Sequence, residues 1–160
     1  MSSIASFILI PKSAIHSLRD SAIPRKNWLG KTKDTYHDFL AQYGREVAKY
    51  EWPGFVLATL LVYLQNQRID LMDSDYDELS NYLTENRGTT HFVFTEAHKQ
   101  AHLARLVPES FSEAQLRDYY NEFNETAEPE AGKPMLDGVR AIRQSLQSLD
   151  EESVVVFSIG

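Results

Sequence analysis

Two segments of this chain are apolar at almost every position, and they stand at its two ends. The first, Ser3-Ile4-Ala5-Ser6-Phe7-Ile8-Leu9-Ile10, sets Ile4, Ile8 and Ile10 on one alternating face and Ala5, Phe7 and Leu9 on the other. The last, Ser153-Val154-Val155-Val156-Phe157-Ser158-Ile159-Gly160, is strongly β-branched, which suits a pleated, buried strand. A strand that is apolar on both faces belongs in the interior of a sheet. Neither can leave an apolar edge in water, so the two are predicted to lie side by side in one small sheet. His91 to Phe94 reads as a third, shorter strand that joins them or forms a minor ribbon.

Between the ends the period changes to that of helices. After Pro11 a short helix sets Ile15, Leu18 and Ala22 on one face. Tyr36, Phe39, Leu40, Tyr43, Val47 and Tyr50 recur at helical steps and predict a helix over 34–50. Trp52-Pro53-Gly54 punctuates the chain, with Pro53 suited to the first turn of the helix that follows. That helix, over about 54–68, is apolar nearly all round and is predicted to be the central, buried one. A helix over 75–86 carries Tyr76, Leu79, Tyr82 and Leu83, and Gly88 stands just past its end where a left-handed residue is wanted. Thr95 caps a helix over 96–106. Ser112 and Gln115 have the spacing of a capping box, with Phe111 and Leu116 as its hydrophobic staple. That helix is predicted to bury Leu116, Tyr119, Tyr120 and Phe123. The last helix, 135–149, aligns Leu136, Val139, Ile142, Leu146 and Leu149. The stretches 23–33 and 126–134 read as loops. Residues 1–160 are therefore expected to form a single α+β domain, helix-rich, with a small sheet made by the N- and C-terminal strands.

Composition adds limits. Apolar residues make up 42% and charged residues 24%, proportions of a globular protein. With no cysteine, disulfides, thiolate ligands and cysteine nucleophiles are excluded. The N-terminal apolar run has no basic residue before it and closes at Pro11, unlike a signal peptide. The most apolar segment, Phe55 to Leu64, is far short of the roughly 20 residues a membrane helix needs. A cytoplasmic protein with no membrane association is the expectation. The net charge of −7 is uneven: residues 1–69 carry +4, while 70–86 and 109–130 carry −6 each. An acidic surface disfavours nucleic acid and favours basic partners.

Three places invite chemistry. The stretch HFVFTEAHKQAH holds three of the five histidines. His98 and His102 are four apart and share a helix face, a spacing that can chelate zinc. A zincin site needs Glu directly after the first histidine, and here Lys99 stands there. With Arg105 one turn further on, the stripe reads better as a basic face, solvated, paired with the acidic helix over 112–125, or meeting an anion. Trp28, among Arg25, Lys26, Lys31 and Lys33, is placed to cap the core, to anchor an interface or, against the overall charge, to stack a base. The tract DSDYDE lacks the glycine and closing glutamate of a calcium loop. Phosphate loops, dinucleotide fingerprints and nucleophile elbows are absent, and the seven glycines are scattered. No metal, no cofactor and no catalytic residue is assigned.

SIASFILIPKSAI at the start, YLTENRGTTHFVFTEAHKQAHLARL, and LDGVRAIRQSLQSLDEESVVVFSIG at the end resemble the YfbM-like family of bacterial proteins. The family's Trp-led apolar helix is matched by Trp52 to Leu64, and its final strand likewise ends in glycine. The loop with Trp28 and the tract from Asp70 to Asn86 have no counterpart in it. The resemblance implies an α+β fold and brings no established activity. An immunity-type role beside a secreted toxin has been suggested for some members.

Two functional readings follow. The first is a non-catalytic protein-binding protein, immunity-like, that meets a basic partner through acidic helices using Trp28, Glu113, Asp118, Tyr119 and Glu122. The second is a small enzyme or ligand-binding domain in which His91, His98 and His102 converge with Tyr119 or Glu96 around one pocket.

Overall fold

The computed structural model describes residues 4–160, so Ser3 of the first predicted strand lies outside the described residues. Along the chain run β1 (Ala5–Pro11), α1 (Ile15–Ser21), the short hairpin of β2 (Arg25–Lys26) and β3 (Thr32–Lys33), α2 (Tyr36–Tyr43) and β4 (Arg45–Ala48). There follow α3 (Gly54–Asn66), α4 (Asp77–Arg87), β5 (Thr90–Phe94), α5 (Glu96–His102), α6 (Glu113–Asn124), α7 (Gly132–Gln147) and β6 (Ser153–Ile159). The class is α+β.

The two terminal strands pair along their whole length, with Ser6 opposite Ser158, Phe7 opposite Phe157 and Ile8 opposite Val156. They form the centre of a four-stranded antiparallel sheet of order β4-β1-β6-β5. Their double-sided apolar pattern has its physical reason here: both faces of the sheet are covered. On one face Phe7, Phe94 and Phe157 pack with Val155 against α3, α6 and α7. Phe7 and Phe157 stack at 4.6 Å between ring centroids, and none of the three rings meets water. Full burial of such a side chain is worth about 1.5–3 kcal/mol. As its composition predicts, α3 is the central helix, with Val56, Leu57, Leu60, Leu61 and Leu64 buried. On the other face Ile10, Val154, Val156 and Val93 pack against α1, α2 and α4 through Leu18, Phe39 and Leu83.

The helix predicted over 34–50 is instead α2 followed by strand β4, and the break falls at Gly44. A Cβ on Gly44 would strike the Ile8 side chain and lie 2.6 Å from the Leu40 carbonyl oxygen. Only glycine lets the chain pass so close to β1 and turn into the edge strand. The periodic Val47 and Tyr50 that extended the helical pattern are buried by β4 and the segment after it. Gly88 does take the left-handed conformation, with φ of 70°. The third strand joins the sheet at the β6 edge. The helix after Thr95 loses its α-helical form at His102 and continues as a single 3₁₀ turn. The last helix begins three residues earlier than expected, because Pro134 is tolerated in its first turn. Among the described residues, no helix is long and apolar enough to cross a membrane.

Candidate functional site

The helical cover of the second sheet face stops short. Beyond Ile8 and Val156 the next residues on that face are Ser6 of β1, Ser158 of β6 and His91 of β5, and they form the floor of a cleft of about 970 Å³. Tyr36, Leu40 and Ala41 of α2 make one wall, and Arg87 closes the end of α4. Ser6 Oγ and Ser158 Oγ lie 2.7 Å apart in a hydrogen bond across the central strand pair. His91 Nδ1 is 2.9 Å from the Thr89 carbonyl oxygen, which can only accept, so Nδ1 carries the proton. Burial holds the His91 pKa down, so the ring is neutral and Nε2 accepts the Tyr36 O–H at 3.3 Å. Burial pushes the Tyr36 hydroxyl up to about 12, and it stays protonated. Arg87 donates twice to Asp34, at 3.0 and 2.8 Å, and its guanidinium lies 4.4 Å from the centre of the Tyr36 ring. The Arg87 hydrogen bond in turn holds the Asp34 carboxyl below its usual range.

His98 and His102 do not join this cleft. The sheet separates them from His91: His98 packs edge-on against Phe94, on the covered face, at 6.0 Å. Its Nδ1 accepts the Thr95 N–H at 3.0 Å, the reach-back half of a capping box, and its Nε2 donates to the Asp73 carbonyl at 2.7 Å. Burial lowers the His98 pKa, which agrees with a neutral ring. The pKa of the neighbouring His102 is lowered by burial and then by His98. The rest of the basic stripe is also spent internally, on backbone carbonyls and not on the acidic helix. Lys99 donates to Leu149 O at 2.7 Å, and Arg105 donates to Gln67 O and Arg68 O at the C-terminal end of α3, where a cation is favoured. Among the described residues no group of three His, Asp or Glu is arranged to hold a metal ion.

A second hollow, a groove of about 580 Å³, lies between α3, the end of α6 and the start of α7. Trp52, Pro53 and Phe55 line it with Tyr120, and Glu128 and Glu130 edge it. Trp52 is anchored by its indole N–H to Asp137 Oδ2 at 2.9 Å. Although burial works against it, hydrogen bonds from Lys133, Trp52 and Arg140 keep the Asp137 carboxyl low. The acidic edge is held in place by one side chain. Asn121 Oδ1 accepts from the Glu128 N–H at 2.8 Å and from the Thr126 hydroxyl at 2.9 Å, and Asn121 Nδ2 donates to Glu128 O at 3.0 Å. Glu125, at φ 53°, ends α6 in the left-handed conformation that turns the chain back over Asn121.

Of the residues singled out from sequence, His91 lines the cleft, and the others line neither hollow. Trp28 does not cap the core: it stands 90% exposed at the tip of the β2–β3 hairpin, whose turn is tied by Asn27 Oδ1 accepting from the Leu29 and Lys31 N–H groups. At 100° per residue, Glu113 and Glu122 project from opposite sides of α6, so Glu113, Asp118 and Glu122 do not make one face. Asp118 is paired with its neighbour Arg117 at 2.7 Å. Tyr119 packs on Tyr63 at 4.9 Å and accepts from Asn66, and burial raises its pKa. Phe123, expected in the core, is 51% exposed. Sequence reasoning missed Ser6, Tyr36, Arg87 and Ser158. The available signal was that both terminal strands place a serine in an otherwise apolar alternation, at positions that an antiparallel pairing brings together.

No family model and no curated protein matches the chain. Among solved structures it is similar to YfbM from Escherichia coli, a protein of unknown function. The identity is 19%, with 98% of this chain and 99% of that one covered, at a TM-score of 0.49.

Proposed function

We propose that this protein is a non-catalytic binding protein whose partner is a basic protein segment. The groove beside Trp52 and Phe55 takes an apolar side chain of that segment, and the acids around it hold flanking lysines or arginines. The reading rests on how the acids of 109–130 are left. Of these seven, Asp118 is the one in an ion pair among the described residues, so the charge at Glu122, Glu125, Glu128 and Glu130 remains available. The other acidic tract offers a contrast: Asp70 and Asp77 accept backbone N–H groups at turns, and Glu78 pairs with Arg19. An aromatic pocket with preorganised charges at its edge is the pattern of an interface anchor. An immunity-type inhibitor of a basic toxin fits this chemistry.

The chain has two tryptophans, so a Trp28→Phe protein carries a single one, in the groove. A short peptide with a central leucine flanked by lysines should change Trp52 fluorescence, more weakly as salt rises. The same peptide flanked by glutamates should not. Reversing both charges, Glu128→Lys with Glu130→Lys, should weaken the lysine peptide at least tenfold. Equal response to the two peptides, or indifference to the reversal, overturns the reading.

A further inference from the structure

We infer that the cleft floored by Ser6, Ser158 and His91 binds an uncharged small molecule with an aromatic or otherwise apolar body and a hydroxyl group. The polar row is the first observation. Ser6, Ser158 and His91 occupy one register line across β1, β6 and β5, and above them these three strands are aliphatic on that face, with Glu46 of the edge strand β4 beside Ile8. A strand face that needed only packing would continue with valine or isoleucine, as Ile8 and Val156 do in the row above. Polar residues at this depth are expected where the cover gives way to a ligand or to water.

The hydrogen-bonding capacity of that row determines the ligand's polar end. Both His91 nitrogens are engaged, one donating to Thr89 O and one accepting from Tyr36. The Tyr36 proton is used by His91, so its oxygen has only lone pairs left to offer. In the Ser6–Ser158 pair one hydroxyl proton is consumed between the two oxygens, which leaves one O–H donor and free lone pairs. The floor therefore offers a single donor among several acceptors. A hydroxyl, which donates and accepts at one atom, satisfies this set.

Charge determines the rest. The cation in the lining, Arg87, is neutralised by its two bonds to Asp34 and stacked on Tyr36. Three of its N–H groups are spent on Asp34 and the Ala22 carbonyl, and Glu46 in the lining repels an anion. A cationic ligand would sit against the Arg87 guanidinium. The walls, from Ile8, Leu40 and Ala41, are apolar, and about 970 Å³ lies in the range of small-molecule sites.

The test uses four compounds with one aromatic body: 2-naphthol, naphthalene, 2-naphthoate and 2-naphthylmethylamine, titrated at neutral pH by fluorescence or calorimetry. The naphthol should bind at least tenfold tighter than either charged compound and severalfold tighter than naphthalene. Ala41→Phe, at an exposed position that lines the cleft, should fill the space and weaken naphthol at least tenfold without unfolding the protein. Ser6→Ala with Ser158→Ala should abolish the preference for naphthol over naphthalene. Tighter binding of a charged compound, or naphthol binding indifferent to Ala41→Phe, overturns the inference. The Trp52 groove lies elsewhere, so its peptide titration is unaffected by either outcome.

Discussion

The two faces of the central sheet are built from the same two strands and come to opposite ends. Phe157 and Ser158 are neighbours on β6, yet one is sealed among aromatic rings and the other opens into a cleft. On the Phe157 face α3, α6 and α7 pack over Phe7, Phe94, Val155 and Phe157, and polar residues such as Thr90 and Ser153 stand at the strand ends. On the Ser158 face the cover of α1, α2 and α4 reaches only the upper rows, and polarity begins where it stops. The histidines divide in the same way. His98, over the covered face, uses both nitrogens to hold a helix start to a loop. His91, on the open face, accepts from a buried tyrosine in the wall of a hollow. One residue type thus serves architecture on one side and a site on the other, and the enclosure around it makes the difference.

The largest break in this comparison should come from Phe157→Ala. The ring contacts Phe7 at 4.6 Å, Phe94 at 5.3 Å and Phe92 at 6.0 Å, and it is fully buried between strands and helices that cannot collapse inward. A loss of about 3–5 kcal/mol is expected in urea unfolding, in line with aromatic truncations in tight cores. A loss under about 1.5 kcal/mol would mean that this face is looser than its packing implies.

How much of this was legible beforehand follows the same division. The covered core could be read because it depends on periodicity: the double-sided pattern of the terminal strands placed them together at the sheet centre, and the apolar helix over 54–68 is the buried one. Strand β4 could not be read that way. Arg45-Glu46-Val47-Ala48 has no alternation of its own, and Val47 and Tyr50 fall in step with the helix before it, so the decisive fact was steric, a close approach at Gly44. The cleft was half legible. His91 stood out as a residue type, whereas Ser6 and Ser158 gain meaning only once the strands pair. Tyr36 and Arg87 come from distant segments and meet through the tertiary fold. The acidic stretch was visible as charge, but its geometry was not: the side chain that fixes it, Asn121, makes its bonds across a loop that looked featureless.

A middle-sized effect should come from His98. Its folded pKa is lowered by burial, so the unfolded chain binds the proton more readily. Stability is then complete above the ordinary histidine value of about 6.5 and falls as pH drops below it. His91 and His102 add two more groups of the same sign. Unfolding between pH 7.5 and 5 should take up as many as about three protons, well before the lowered carboxyls Asp34 and Asp137 contribute near pH 4 and below. His98→Ala should cost about 1 kcal/mol at pH 7.5 through the lost cap. His98→Gln keeps a side chain that can accept the Thr95 N–H, so it should recover most of that loss while removing one proton from the pH slope. An unchanged slope in the glutamine variant would show that His98 is not held neutral by its place over the covered face.

The smallest effect sharpens the comparison most. Replacing Ser6 and Ser158 together by alanine removes a 2.7 Å hydrogen bond between the two central strands of the sheet. When both partners are made apolar, no orphaned polar group remains, and the change should be nearly neutral, within about 1 kcal/mol. Both serines are only half-buried, so solvent can replace part of the lost bond. If the two faces differ as described, a single truncation at Phe157 costs several times more than this double change next to it. Should the serine pair prove as costly as the aromatic ring, the row on the open side is a structural clasp between the chain's two ends, and the cleft above it loses its reason for being polar.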